Sequence, residues 1–107
     1  MRIIVAMMLS CFASLSTHGA DPKTNWINNC VQCHGPDGSA NTSMGKAVNA
    51  KDLTSAQIQS SFTDAEAAAA IKDGVQKDGM TRMIAFGGKL TDDEIKALVA
   101  YVRSLKK

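Results

Sequence analysis

The strongest order in the chain lies at its C-terminal end. Ile95, Leu98, Val99, Val102 and Leu105 recur every three or four positions, with Tyr101 beside the stripe, which predicts an amphipathic helix with one buried face. Thr91-Asp92-Asp93-Glu94 marks its start. This is a capping box, in which a threonine hydroxyl and a glutamate carboxylate satisfy two otherwise free backbone amides, and Leu90 and Ile95 are placed to close a hydrophobic staple. A second box, Thr63-Asp64-Ala65-Glu66, opens a helix through the alanine-rich residues 67–71, and Gly74 supplies its stop.

Nearer the start, Asp21-Pro22 offers a cap and a first-turn residue, and Trp26, Ile27 and Cys30 follow at helical spacing. A first helix is predicted from there to near Cys33. Gly35-Pro36-Asp37-Gly38 breaks it, and the Ser-, Asn-, Thr- and Gly-rich stretch through Gly45 reads as a long ordered loop. A short helix is predicted within residues 53–62, where Ile58 and Phe62 lie one turn apart. No segment alternates apolar and polar residues over a strand length, no repeat is visible, and no linker divides the chain. The expected fold is all-α, a single helical domain.

The first twenty residues follow a different pattern. Arg2 precedes an almost uncharged, mostly apolar run over residues 3–15, then small or polar residues up to Ala20. This reads as a secretory signal peptide cut after Ala20. The run is too short for a membrane span, which needs roughly 18–20 apolar residues, and Ser10 and Ser14 interrupt it. Lipid attachment at Cys11 is disfavoured by the bulky Leu9 before it. The expected organisation is a cleaved leader over residues 1–20 and one domain over 21–107, exported to the periplasm, with no transmembrane segment after cleavage.

Composition narrows the function. Twelve Lys and Arg against ten Asp and Glu give a formal charge of +2 over 107 residues. Without a basic cluster, nucleic-acid binding is set aside. Removing the leader leaves 87 residues, a charge of +1, and Trp26, Phe62, Phe86 and Tyr101 as the aromatics. Such a core is thin, and a domain this small is marginal without a further stabilising element. Of three cysteines, Cys11 leaves with the leader. Cys30, Cys33 and a single histidine, His34, remain.

Those three form the motif Cys30-Val31-Gln32-Cys33-His34. Two cysteines three apart on a helical turn project to one side, and the following histidine can turn beneath them, an arrangement suited to covalent haem attachment. Each thiol would form a thioether with a haem vinyl group, and His34 would be the proximal iron ligand. A thioredoxin-like dithiol belongs in a βαβ setting that this pattern lacks. A structural zinc site needs four ligands, more than these residues provide, and a plain disulfide leaves the histidine unexplained. Haem would also fill the thin core, with residues 67–70 letting a helix backbone approach the ring. With no second histidine, candidates for the sixth ligand are Met44, Met80 and Met83. Met83 is favoured because it sits 49 positions beyond His34, in a segment running into the last helix, so the intervening chain can wrap the ring.

At this point the sequence resembles a family, the small bacterial monohaem class I cytochromes c, of the kind also found as domains of cbb3-type oxidase subunits. The resemblance rests on Asn29-Cys30-Val31-Gln32-Cys33-His34-Gly35-Pro36-Asp37-Gly38, on the segment from Met83 to Leu90, and on the stretch from Asp93 to Leu105. It covers nearly all of residues 22–105. It implies a helical fold wrapped around one haem c, with first and last helices crossing. It also implies thioethers at Cys30 and Cys33, axial ligation by His34 and by the loop methionine matching Met83, and electron transfer rather than catalysis. Two positions depart from the family pattern: Ile84 stands where proline usually follows the methionine, and Pro22 where a glycine often precedes the first-helix aromatic.

The expected role is a monomeric periplasmic electron carrier with redox proteins as donor and acceptor. A haem subunit accepting electrons within a dehydrogenase complex is the alternative, and a gas-binding protein would require an easily displaced sixth ligand. Lys77, Arg82 and Lys89 flank the methionine segment and would lie near the haem edge, either as an ordinary solvated face beside Asp73 and Asp78 or, if functional, as a patch that steers an acidic partner.

Overall fold

The computed structural model describes residues 19–107. The expected leader lies, up to residue 18, outside the described residues, as does Cys11. Six helices and one hairpin follow: α1 (Pro22–Asn29), α2 (Val31–His34), α3 (Ser43–Val48), α4 (Ala56–Gln59), α5 (Asp64–Asp73), β1 (Val75–Lys77), β2 (Met80–Met83) and α6 (Asp92–Ser104). Both capping boxes form. Thr63 and Glu66 open α5, and Thr91 and Glu94 open α6, each with the two reciprocal hydrogen bonds.

The architecture is mostly helical, and the sequence expectations need three corrections of detail. The first helix is two, because Cys30, at φ −113° and ψ −29°, interrupts the regular ladder between α1 and α2. The expected loop through Gly45 contains α3, a helix of six residues whose apolar positions, Met44, Ala47 and Val48, span little more than one turn. It forms because Thr42 caps it, its hydroxyl accepting from the Gly45 amide at 2.9 Å and donating to the Cys33 carbonyl at 2.7 Å. The third correction is the antiparallel hairpin β1-β2. Asp78 and Gly79 have φ of 55° and 73°, the left-handed pair that a two-residue hairpin loop requires. Because β1 is wholly exposed, the strands had no need of alternating apolar residues.

The core is built where α1 crosses α6. Trp26 and Leu98 are each only 1% exposed, and Ile95, Val99 and Val102 complete the buried stripe of α6. The Trp26 and Tyr101 rings meet with centroids 5.5 Å apart. Asn25, buried beside Trp26, donates from Nδ2 to Glu94 Oε2 at 2.8 Å. At the other end of α6, Arg103 is a hub: Nε donates to Asp64 at 2.8 Å, Nη2 to the Phe62 carbonyl at 2.8 Å, and Nη1 to Gln59. Gln59 in turn donates to the carbonyls of Leu53 and Val102, both at 2.8 Å. This network pins the segment from Leu53 to Asp64 against α6, and neither Gln59 nor Arg103 was marked by the hydrophobic pattern.

Arg103→Met keeps the apolar stem and removes every donor. It is expected to lower the unfolding free energy of the holoprotein by about 2 kcal/mol, read by guanidinium titration. Lys96→Met, on the exposed side of α6, should stay within about 0.5 kcal/mol of the parent.

Candidate functional site

The motif sits where α1 gives way to α2, held by backbone bonds. The His34 amide donates to the Cys30 carbonyl at 2.9 Å, and the Ala40 amide returns to the His34 carbonyl at 2.7 Å. Gly45 lies so close that a Cβ there would stand 2.3 Å from the Cys33 carbonyl oxygen and 2.7 Å from that of Ala40. Only glycine lets α3 lean on the motif.

His34 is fixed by its ring. Nδ1 lies 3.1 Å from the Lys51 carbonyl oxygen, and since a carbonyl can only accept, Nδ1 carries the proton and donates. Nε2 is left with its lone pair, the tautomer a metal ligand needs. Burial pushes the His34 pKa below its ordinary value, against the opposing pull of the Lys51 bond, so the ring stays neutral. Burial, reinforced by neighbouring Cys33, pushes the Cys30 thiol up to about 11. A redox-active dithiol needs the reverse, a depressed thiol pKa.

These residues open onto a cleft of about 520 Å³, a size typical of cofactor sites. Cys30, Cys33 and His34 line it with Leu53 and Phe62, while α5 contributes Ala67, Ala70 and Ile71. The alanines of α5 divide by face: Ala67 and Ala70 meet the cleft, whereas Ala65, Ala68 and Ala69 lie in the groove beside α6. β2 and the segment after it supply Thr81, Arg82, Met83, Ile84 and Phe86 to the same lining.

The three methionine candidates separate. Met83 is half-buried, lines the cleft and packs on the core. Met44 also lines the cleft but is 43% exposed, on the helix packed against α2. Met80 is 55% exposed, and the cleft lining does not include it. Of the three basic residues expected to form one exposed patch, Lys77 and Lys89 are exposed, but Arg82 is half-buried and faces the cleft. Among the described residues, no three His, Cys, Asp or Glu side chains converge as a metal cluster would require.

An apolar cleft whose lining includes two thiols, a neutral imidazole and the thioethers of Met44 and Met83 fits a haem. So do two buried polar atoms on its lining that lack partners, Asn29 Oδ1 and Arg82 Nε. The site and helical frame define a covalent haem domain. Residues 20–106 match the Cytochrome c family model, and the chain belongs to that family. It is similar to the solved KustC0563 c-type cytochrome, with 34% identity and a TM-score of 0.72 over 82% of this chain and all of that one. A point variant of that protein aligns at 33% identity and a TM-score of 0.69, over 81% of this chain and all of its own. No curated protein sequence matches significantly. The chain is an electron-transfer haem protein whose cofactor is one covalently bound haem c. Among the described residues, no helix is long and apolar enough to cross a membrane.

Gly45→Ala is expected to push α3 off the motif, since the blocking atoms are backbone. The holoprotein should lose about 1–3 kcal/mol, seen as a lowered melting temperature and a smaller yield of haem-loaded protein.

Proposed function

We propose that this domain begins at Asp21 after loss of its leader and carries single electrons in the periplasm. In this reading Cys30 and Cys33 would hold the haem by thioethers, and His34 and Met83 would ligate its iron. The observation that carries the reading is the hydrogen bond from His34 Nδ1 to the Lys51 carbonyl, which leaves Nε2 ready to ligate. When bound, the haem iron supplies a one-electron couple between Fe(III) and Fe(II).

The residues around it act by staying still. Lys51 fixes the rotation of His34 while the Ala40 bond fixes its backbone. Opposite, the Met83 segment lacks the stiffness of a following proline, yet it is held in other ways. The Phe86 amide donates to the Ile71 carbonyl at 2.9 Å and the Gly87 amide to that of Lys72 at 3.0 Å. Gly74, at φ 77°, lets the chain pass so close that a Cβ there would lie 2.6 Å from the Met83 carbonyl oxygen. Ligands that keep their places in both oxidation states suit rapid electron transfer, and a thioether favours Fe(II) and so raises the potential.

Met83→Ala is expected to keep covalent haem, lower the reduction potential and admit CO to the reduced protein, while Met80→Ala leaves all three properties as in the parent. CO binding in the Met80 variant but not in the Met83 variant would reverse the assignment. A visible spectrum with CO titration reads both.

Lys77 and Lys89, both exposed, and Ile84, which is 63% exposed, are taken as parts of the docking face. Replacing both with Glu should slow electron transfer to an acidic partner several-fold at low salt and leave the potential unchanged. The difference should fade as the Debye length falls to about 8–10 Å. Stopped-flow rates across a salt series measure it.

A further inference from the structure

Consecutive side chains of a regular strand leave opposite faces, yet Thr81, Arg82 and Met83 all line the same cleft. The register explains this. Gln76 pairs with Thr81 and Val75 with Met83, so Arg82 is the extra residue of a β-bulge, a device that re-aims a side chain. Arg82 is half-buried, and its Nε is fully buried with no hydrogen-bond partner among the described residues. Neither salt bridge among the described residues includes it.

A guanidinium donor in such a place is costly unless an anionic acceptor reaches it. The charged side chains on surrounding elements do not fill that role. Lys46 of α3, Lys51 and Lys77 are cations, and Asp78 is exposed at the hairpin tip. Glu66 is the one acid on the cleft lining, and its carboxylate is held at the Thr63 amide by the cap of α5. The cofactor itself brings two carboxylates, and an Arg fork matches a carboxylate well.

We propose that Arg82 donates from its guanidinium to a haem carboxylate, as a positioning residue that seats the carboxylate edge of the cofactor and offsets its negative charge. The bulge is the structural device that makes this contact. The proposal rests on the haem c of the family and is independent of which methionine binds iron.

Three holoproteins test it, Arg82→Gln, Arg82→Lys and, as an exposed cation on the same hairpin, Lys77→Gln. Arg82→Gln leaves a carboxylate uncompensated near the iron and so favours Fe(III). The equilibrium constant for reduction is expected to fall about tenfold, equivalent to about 59 mV for one electron. The carboxylate bands of its oxidised-minus-reduced infrared difference spectrum should move as well. Arg82→Lys should keep the constant within about threefold while still shifting those bands, because an ammonium is not a fork. Lys77→Gln should change neither.

An Arg82→Gln protein with parental potential and bands overturns the proposal, as does a Lys77→Gln protein that loses as much. If Arg82→Gln fails to mature, the infrared bands of Arg82→Lys decide, and unchanged bands overturn it. All three reduced proteins should exclude CO to the parental degree. CO binding that also appears in the parent would instead count against the Met83 assignment and leave the Arg82 contact standing.

Discussion

A domain of this length has too few large side chains to fill its own centre. Trp26 and Leu98 close the crossing of α1 and α6, but the chain also encloses a cleft of about 520 Å³ lined from the motif, α3, α5, the hairpin and α6. Close packing is the rule for protein interiors, and here the largest packing element is the haem rather than a residue. Small side chains therefore recur where larger ones would compete with the ring. Ala67 and Ala70 on α5 are the clearest case, and alanine on the opposite face lets the same helix sit close to α6.

Fixing a ring in place then becomes a backbone task. The loop from Gly35 to Leu53 has little apolar content, but its ordered hydrogen bonds make it a clamp. Thr42 grips the Cys33 carbonyl, Ala40 that of His34, and the Leu53 amide reaches the Gly38 carbonyl at 2.8 Å. Ala40 adopts φ 61° within this clamp, a conformation unfavourable for alanine and held by the bond to His34. Strain of this kind is tolerated where surrounding contacts over-determine it. The clamp delivers the Lys51 carbonyl to the imidazole.

What the sequence made legible follows the same physics. Both capping boxes and the α6 stripe were readable because they depend on near neighbours and on a large buried face. The Cys-x-x-Cys-His motif was readable because its chemistry is packed into five residues. The partner of His34 was not, since a backbone carbonyl leaves no side-chain signature at position 51. α3 was hidden because its apolar positions, Met44, Ala47 and Val48, are too few to show a period among the polar and glycine residues around them. The hairpin carried one local signal, Asp78-Gly79, which outweighs missing alternation when β1 is exposed throughout and β2 is half-buried only at Arg82 and Met83. Arg82 reads in the sequence as one more surface cation, and only the register slip between Gln76 and Val75 turns it inward.

That hairpin also bears on which parts of the surface can change. Its tip makes no demand on the interior: a side chain at Gly79 would meet no atom within 4 Å, and β1 is open to solvent along its length. The base, by contrast, is tied to Ile71 and Lys72 through the segment that follows Met83. Changes of length or charge at the tip can thus reshape that part of the surface without moving the residues that follow Met83.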